Sequence, residues 1–250
     1  MNTGKVTLIG AGPGDPELLT LKAARALGEA DVVLVDDLVN REVLRHAAQA
    51  RIVEVGKRGG CKSTPQHFIN RMMIALAQQG QNVVRLKGGD AFLFGRGGEE
   101  MLALRAAGIT MQFVPGITSG TAVPATLGIP VTHRAYTHGV TFVTGHTQDG
   151  TPVNWRALAE GGTTLVIYMG MKNLPEIVSG LLEAGMANEM PAAIIQQGTL
   201  PEQKQVITTL ASLPMAAKQA KMASPALIVV GDVVSLAQSE ALTDALKYAA

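Results

Sequence analysis

The chain has 250 residues, 47% of them hydrophobic and 16% charged, with 28 glycines and 12 prolines, which excludes a disordered segment and fits a globular protein of many short elements and tight turns. With 21 basic against 20 acidic residues the net charge is +1, which argues against a dedicated nucleic-acid binder. The single cysteine, Cys61, excludes a disulfide framework and a cysteine-based metal cluster, and no charged-then-apolar leader or 18-residue apolar run is present, so a soluble, cytoplasmic protein is expected.

In the first half, β-branched runs at Val6–Ile9, Val32–Val35, Ile52–Val55, Val83–Leu86 and Met111–Val114 predict strands. Helical patterns at Leu18–Glu29, Arg41–Ala48, Pro65–Gln79 and Glu99–Ala107 fall between them, and that alternation predicts a parallel sheet of βαβ units. Thr64 is placed to cap the third helix, with Pro65 in its first position and Gly80 after its end. From 115 to 130 the chain becomes rich in Gly, Pro, Ser and Thr, a linker with a short helix. Beyond it, strands are predicted at Val140–Thr144, Thr164–Tyr168, Ala192–Ile195, Val206–Thr208 and Leu227–Val230. Helices are predicted around Trp155–Ala159, Pro175–Ala184, Leu210–Lys218 and Ser235–Leu246. The fold class is α/β: an N-terminal domain over 1–115, a linker region over 116–137 and a C-terminal α/β domain over 138–250.

Two glycine-rich loops follow strands. The first, GAGPGD, places Gly10, Gly12 and Gly14 between a strand and a helix. A dinucleotide fingerprint would put a third glycine where Asp15 stands, and a carboxylate there repels a pyrophosphate at the helix N-terminus. S-adenosylmethionine carries no phosphate and suits such a turn, and the loop alone leaves methyl donor and dinucleotide both open. The second cluster runs Gly88, Gly89, Asp90 and then Gly95 to Glu100, on a strand neighbouring the first in a βαβ sheet, so both loops are expected to face one crevice. Glu99 and Glu100 in the first turn of a helix also complement its dipole. From Arg41 to Lys62, six basic residues stand against Glu42 and Glu54, an excess suited to a polyanionic small molecule. The five histidines show no H-x-x-x-H spacing, and no metal site is expected.

The motifs GAGPGD, DDLV, GKRGG, RLKGGDAFLFGRGGEE, VPGITS, PVTHR, VTGH, YMGM and SPALIVVG, in that order from about Lys5 to Val234, make the chain resemble the uroporphyrinogen-III C-methyltransferases of the tetrapyrrole methylase superfamily. The resemblance implies two α/β domains with an S-adenosylmethionine site in the cleft between them, and a homodimer. It implies transfer of two methyl groups to neighbouring pyrrole rings of uroporphyrinogen III, giving precorrin-2 for the sirohaem, cobalamin and haem d1 branches, with S-adenosylhomocysteine as by-product. Carried over motif by motif, the cofactor contacts are Pro13, Gly88, Gly89, Asp90, Leu93, Thr118, Ser119, Met169 and Gly198. Asp36 matches the position credited with proton abstraction and Lys57 a second functional position, their division of labour left open. Arg96, Glu99, Arg134 and, more weakly, Met171 are implied for the carboxylate-rich substrate, with Arg96 also placed among the catalytic groups. Ala91 and Ser119 depart from the family, which usually has Pro and often Ala there, and this bears on loop stiffness. Core packing is the other reading of Met169, and a solvated loop or cap that of Asp36 and Asp37.

The rival readings are a methyltransferase acting later in corrin synthesis, a ribosomal RNA methylase, a dinucleotide-dependent oxidoreductase, and a protein that holds the cofactor without turnover. Near-neutral charge speaks against RNA, and Asp15 against the oxidoreductase.

Overall fold

The structure, a computed structural model, describes residues 4–56, 64–147 and 151–238. The chain divides into two compact units, Met1–Thr118 and Ser119–Ala250, and each contains a five-stranded sheet.

In the first unit the strands are β1 (Lys5–Gly10), β2 (Val32–Val35), β3 (Arg51–Glu54), β4 (Val83–Lys87) and β5 (Thr110–Val114), in the order β3-β2-β4-β1-β5. Every pairing is parallel. A parallel sheet is covered on both faces, so its central strands must be apolar at every position, and β2, VVLV, is buried throughout. Ile9, Val33, Val35, Val84 and Leu86 pack on α1 (Leu21–Gly28) and on the 3-10 helix Arg41–Ala47. Val6, Leu8, Val32, Leu34 and Val83 pack on Ile69, Met73, Leu76 and Ala77 of α2 (Gln66–Gln78) and Leu104 of α3 (Gly97–Ala106). Each such aliphatic side chain contributes about 1.5–3 kcal/mol by its burial. Because side chains alternate along a strand, Arg85 and Lys87 lie in the row of Val83, on the face covered by α2 and α3.

Two helix starts differ from expectation. The helix predicted from Leu18 begins at Leu21, because Thr20 Oγ1 accepts from Ala23 N while Asp15 accepts from Glu17 N and closes a separate 3-10 turn, Pro16–Leu18. Two successive caps split one predicted element. At α2 the cap position falls on Pro65, not Thr64, without a side-chain cap bond; Pro65 is extended, with ψ 137°, so the helix starts one residue later. Gly80, φ +85°, follows the end of α2 as expected.

The second unit runs α4 (Ser119–Ala125), β6 (Val140–Thr144), α5 (Trp155–Glu160), β7 (Thr164–Tyr168), α6 (Leu174–Glu183), β8 (Pro191–Gln196), β9 (Lys204–Thr209), α7 (Leu213–Gln219) and β10 (Ala226–Val230). Its sheet order is β6-β7-β10-β8-β9; β6 and β7 are parallel and the other pairings antiparallel. Leu165, Ile167, Ile194 and Ile228 bury against α6 and α7, while Val166, Ala193, Ile195 and Val229 bury against Val123 of α4 and Ile129. The helix predicted over Ser235–Leu246 is replaced by a 3-10 helix, Asp232–Gln238, and the rest of that range lies outside the described residues. Among the described residues no helix is long and apolar enough to cross a membrane.

Candidate active site

The carboxyl ends of β1, β4 and β5 are stitched together by backbone. Gly12 N donates to Gly89 O (3.1 Å) and Gly89 N to Gly12 O (2.7 Å), so the two glycine loops form one antiparallel bridge. A Cβ on Gly10 would lie 2.5 Å from Gly89 O and 2.6 Å from Gly116 N, so three backbones meet where no side chain fits. Asp90 locks the arrangement, its Oδ1 accepting from Phe92 N (2.8 Å) and its Oδ2 from Gly116 N (3.1 Å). The loop holding Leu93 then folds back on buried Ala91, whose carbonyl accepts from Gly97 N (2.9 Å). The stiffness a proline would give at 91 is supplied here by hydrogen bonds. Pro13 and Gly88 are half-buried beside the bridge.

Asp36 stands one residue beyond β2 and is neither a plain solvated residue nor a helix cap. Its Oδ2 accepts from Arg85 Nη2 (2.9 Å) and lies 3.6 Å from Lys87 Nζ, while its Oδ1 accepts from Asp37 N (3.1 Å). Burial pushes its pKa up, but Arg85, Lys87 and the Asp37 N–H together outweigh burial and leave it below the ordinary carboxylate value. Behind it lies Glu100, fully buried, whose Oε1 accepts from Arg85 Nε (2.9 Å), Lys87 Nζ (3.2 Å) and Gln66 Nε2 (3.0 Å). Burial, then the neighbouring Arg85, push Lys87 below the usual lysine value, partly offset by Glu100 and Asp36. Lys57 lies outside the described residues.

Arg96 occupies the cap position of α3 in the left-handed region, φ 60°, and makes a two-point ion pair with Glu99, Nε–Oε1 2.9 Å and Nη2–Oε2 2.7 Å. The hydrogen bond and charge of Glu99 raise Arg96, and the same hydrogen bond lowers Glu99. Both side chains are about half exposed, and such a pair contributes about 0–1 kcal/mol. Exchanging Glu99 for another carboxylate partner would therefore cost little.

In the second unit, Met169 follows β7 with φ 54° and is 51% exposed, which overturns core packing as its role. Met171 opens a 3-10 helix and is half-buried against the unit's core. A Cβ on Gly198 would collide with Val123 of α4, and its neighbours Gln197 (φ 50°) and Thr199 (φ 68°) are left-handed. Ser119 begins α4, directly after Thr118 at the end of the first unit, and Arg134 is exposed between α4 and β6. Of the six non-glycine residues with positive φ among those described, Phe94, Arg96, Met169, Gln197 and Thr199 all sit on or beside predicted site residues. Each costs about 1–3 kcal/mol, and such strain concentrates at functional loops.

Arg85, Lys87 and Glu100 were not among the predicted site residues. Two charges at alternate positions of the central strand VVRLK were the available signal, since a parallel strand covered on both faces has no solvent side for them. Glu100 was expected only to complement the helix dipole; the structure buries it, because adjacent helical residues point about 100° apart and only Glu99 faces solvent.

Comparison with known proteins agrees with this architecture. The chain is 55% identical over 231 residues to a uroporphyrinogen-III C-methyltransferase of Pseudomonas aeruginosa, covering 92% of this chain and 94% of that protein. Its fold is similar to the crystal structure of uroporphyrin-III C-methyl transferase from Thermus thermophilus complexed with S-adenyl homocysteine, with TM-score 0.81 and 40% identity over 93% of this chain and all of that one. It is also similar to a cobalt precorrin-4 methyltransferase of cobalamin biosynthesis, with TM-score 0.83 and 27% identity over 92% of this chain and 95% of that one. Residues 5–214, most of the chain and parts of both units, match the family model for Tetrapyrrole (Corrin/Porphyrin) Methylases, and the chain belongs to that family.

Proposed function

We propose that the chain is an S-adenosylmethionine-dependent uroporphyrinogen-III C-methyltransferase that transfers two methyl groups to ring carbons to give precorrin-2, acting as a cytoplasmic homodimer. The observation that carries this reading is 55% identity along nearly the full length of a relative with that name. The backbone does not choose among family members, since the precorrin-4 enzyme superposes as well at 27% identity. Sequence identity does.

The first loop supports a donor without phosphate. Asp15 supplies its own carboxylate to the N-terminus of the following 3-10 turn, where a pyrophosphate would otherwise dock. Pro13, Gly88, Gly89, Asp90, Leu93, Thr118, Ser119, Met169 and Gly198 are the residues proposed to hold the cofactor, which supplies an electrophilic methyl group when bound. Most of the catalysis is positioning, worth about 7–11 kcal/mol in well-oriented systems.

The ring carbon that gains a methyl already carries a side chain and becomes quaternary, so the resulting ring cation is neutralised by losing a proton from the adjoining bridging carbon, and Asp36 is the proposed acceptor. Oδ1 is its freer oxygen, because Oδ2 faces Arg85 and Lys87. A carboxylate held below its usual pKa is a weak base, yet a cationic ring is a strong carbon acid, so a weak base suffices. Arg96, released from Glu99, and Arg134 offer guanidinium forks to the substrate's carboxylates, Glu99 is then free for pyrrole N–H groups, and Met171 is a weaker contact. Lys57 is retained as a second functional group.

Incubation of the pure protein with methyl-labelled S-adenosylmethionine and uroporphyrinogen III tests the reading. Successive mass gains of one and two methyl groups are expected. No gain with that substrate, or gain only with a later corrin intermediate, overturns it.

A further inference from the structure

We infer that Arg85, anchored from behind by Glu100 and flanked by Lys87, is a positioning residue that clamps the Asp36 carboxylate at the end of β2 and aims its Oδ1 at the reacting ring. The inference rests on the proposed role of Asp36 and adds Arg85, Lys87 and Glu100, which are not among the predicted site residues. Its geometry is a chain of contacts: Glu100 Oε1 to Arg85 Nε at 2.9 Å, Arg85 Nη2 to Asp36 Oδ2 at 2.9 Å, and Lys87 Nζ between the two carboxylates at 3.2 and 3.6 Å. Arg85 Nη1 also donates to the carbonyls of Leu34 (3.3 Å) and Leu86 (3.4 Å), so the guanidinium plane is fixed against both β2 and β4.

Stability alone does not account for this arrangement. Burying Arg85, Lys87 and Glu100 beside half-buried Asp36 costs desolvation, and a well-packed apolar set serves stability as well or better. Glu100 in addition spends all three of its donors on Oε1, while its buried Oε2 has no partner among the described residues. An unsatisfied buried oxygen is a cost that makes sense where the geometry of Arg85 matters more than the comfort of Glu100. Among the described residues, the groups around Asp36 are Arg85 and Lys87 from β4, Glu100 and the more distant Glu99 from α3, uncharged Gln66 from α2, and Asp37 and Arg41 from the turn after β2. Arg41 donates to the Asp36 carbonyl and pairs with Glu54 of β3. Opposing the two cations are half-buried Asp36 and buried Glu100, so these four described charges balance.

A double-mutant cycle tests the clamp. The variants are Asp36→Asn, the paired change Arg85→Met with Glu100→Gln, which removes one positive and one negative charge together so that no buried ion is orphaned, and the three changes combined. Single-turnover methyl transfer to uroporphyrinogen III is read for each, with thermal melting and S-adenosylhomocysteine titration as controls of folding and cofactor binding. Asp36→Asn is expected to slow transfer by about 10²–10⁴-fold, and the paired change by about 10–100-fold with unchanged S-adenosylhomocysteine affinity. The combined variant should be no slower than Asp36→Asn, because the clamp acts only through that carboxylate. Multiplied losses in the combined variant overturn the clamp and leave the role of Asp36 standing; a wild-type rate in Asp36→Asn overturns that role and the clamp with it. Should the paired variant not fold, the carboxyl carbon of Asp36 in carbon-13-labelled wild-type protein, assigned by its loss in Asp36→Asn, decides the matter. It should stay ionised as pH falls through 3.8, the ordinary aspartate value, and protonation at or above that value overturns the clamp.

Discussion

Replacing Gly116 with alanine tests whether the glycine contact at the carboxyl ends of β1, β4 and β5 holds the site together. The added Cβ would lie 2.6 Å from the carbonyl carbon and oxygen of Gly10 and closer still to the carbonyl oxygen of Gly89, all of them backbone atoms with no rotamer to yield. Restoring ordinary contact requires the loops to part by roughly 1 Å, an overpacking strain of about 1–3 kcal/mol. That movement stretches the Gly12–Gly89 pair from 3.1 and 2.7 Å and the Asp90–Gly116 bond from 3.1 Å. Neutral hydrogen bonds contribute about 0.5–1.5 kcal/mol each and one to a carboxylate about 1.5–3, so a net loss of about 3–5 kcal/mol is expected. Thermal melting should show a Tm roughly 10–15 °C lower, and calorimetric titration with S-adenosylhomocysteine should show weakened binding. Gly98→Ala is the control: nothing lies within 4 Å of its Cβ, and the helix gains up to about 1 kcal/mol. A Gly116→Ala protein with wild-type Tm and wild-type affinity would refute the reasoning.

Arg96→Ala should leave unfolding free energy within about 0.5 kcal/mol of wild type, since its ion pair with Glu99 is exposed, yet lower kcat/KM for uroporphyrinogen III by at least tenfold; steady-state kinetics with normal turnover would remove it from the site. Arg96→Lys should restore little, because the two-point fork is lost. Gly198→Ala should destabilise the second unit by about 1–3 kcal/mol through collision with Val123, and Val123→Ala in the same chain should relieve it; additive losses in urea unfolding would count against that contact. Asp36 is held below the ordinary aspartate value of 3.8 in the folded state, so its stabilising contribution is complete above that pH and is lost as pH falls through the folded value. Melting curves across the acid range should therefore fall less steeply for Asp36→Asn than for wild type, and parallel curves would contradict the assignment.

Each of the ten observed strands overlaps a predicted run, because strands in covered sheets are unbroken β-branched stretches between turn residues, a signal that is local. Helix starts were less legible. Asp15 and Thr20 are both competent caps five residues apart, and which of them opens the helix depends on how the intervening turn packs. The glycines of the two loops were visible as a pattern, but that Gly10, Gly89 and Gly116 exclude side chains from the same point follows only from the strand order β4-β1-β5, which brings residues 116 and 89 to either side of residue 10. The direction of pairing in the second sheet was equally hidden, since short apolar strands read alike in parallel and antiparallel sheets.

Charge in the first unit separates into a closed set and an open one. Buried Arg85, Lys87 and Glu100 and half-buried Asp36 balance each other, so they add little to the field felt by an approaching polyanion. On the proposed reading, attraction to eight carboxylates would come from exposed cations, among them Arg96, whose half-exposed partner is easily exchanged. The division suits the proposed chemistry. Arg85 and Lys87 already weaken Asp36 as a base, and substrate carboxylates bound directly to Arg85 would compete with Asp36 for its guanidinium. Burying Arg85 within its own ion pairs would keep the proposed substrate recognition and proton removal on different side chains, so that one site could grip a highly charged ring and keep Asp36 in place.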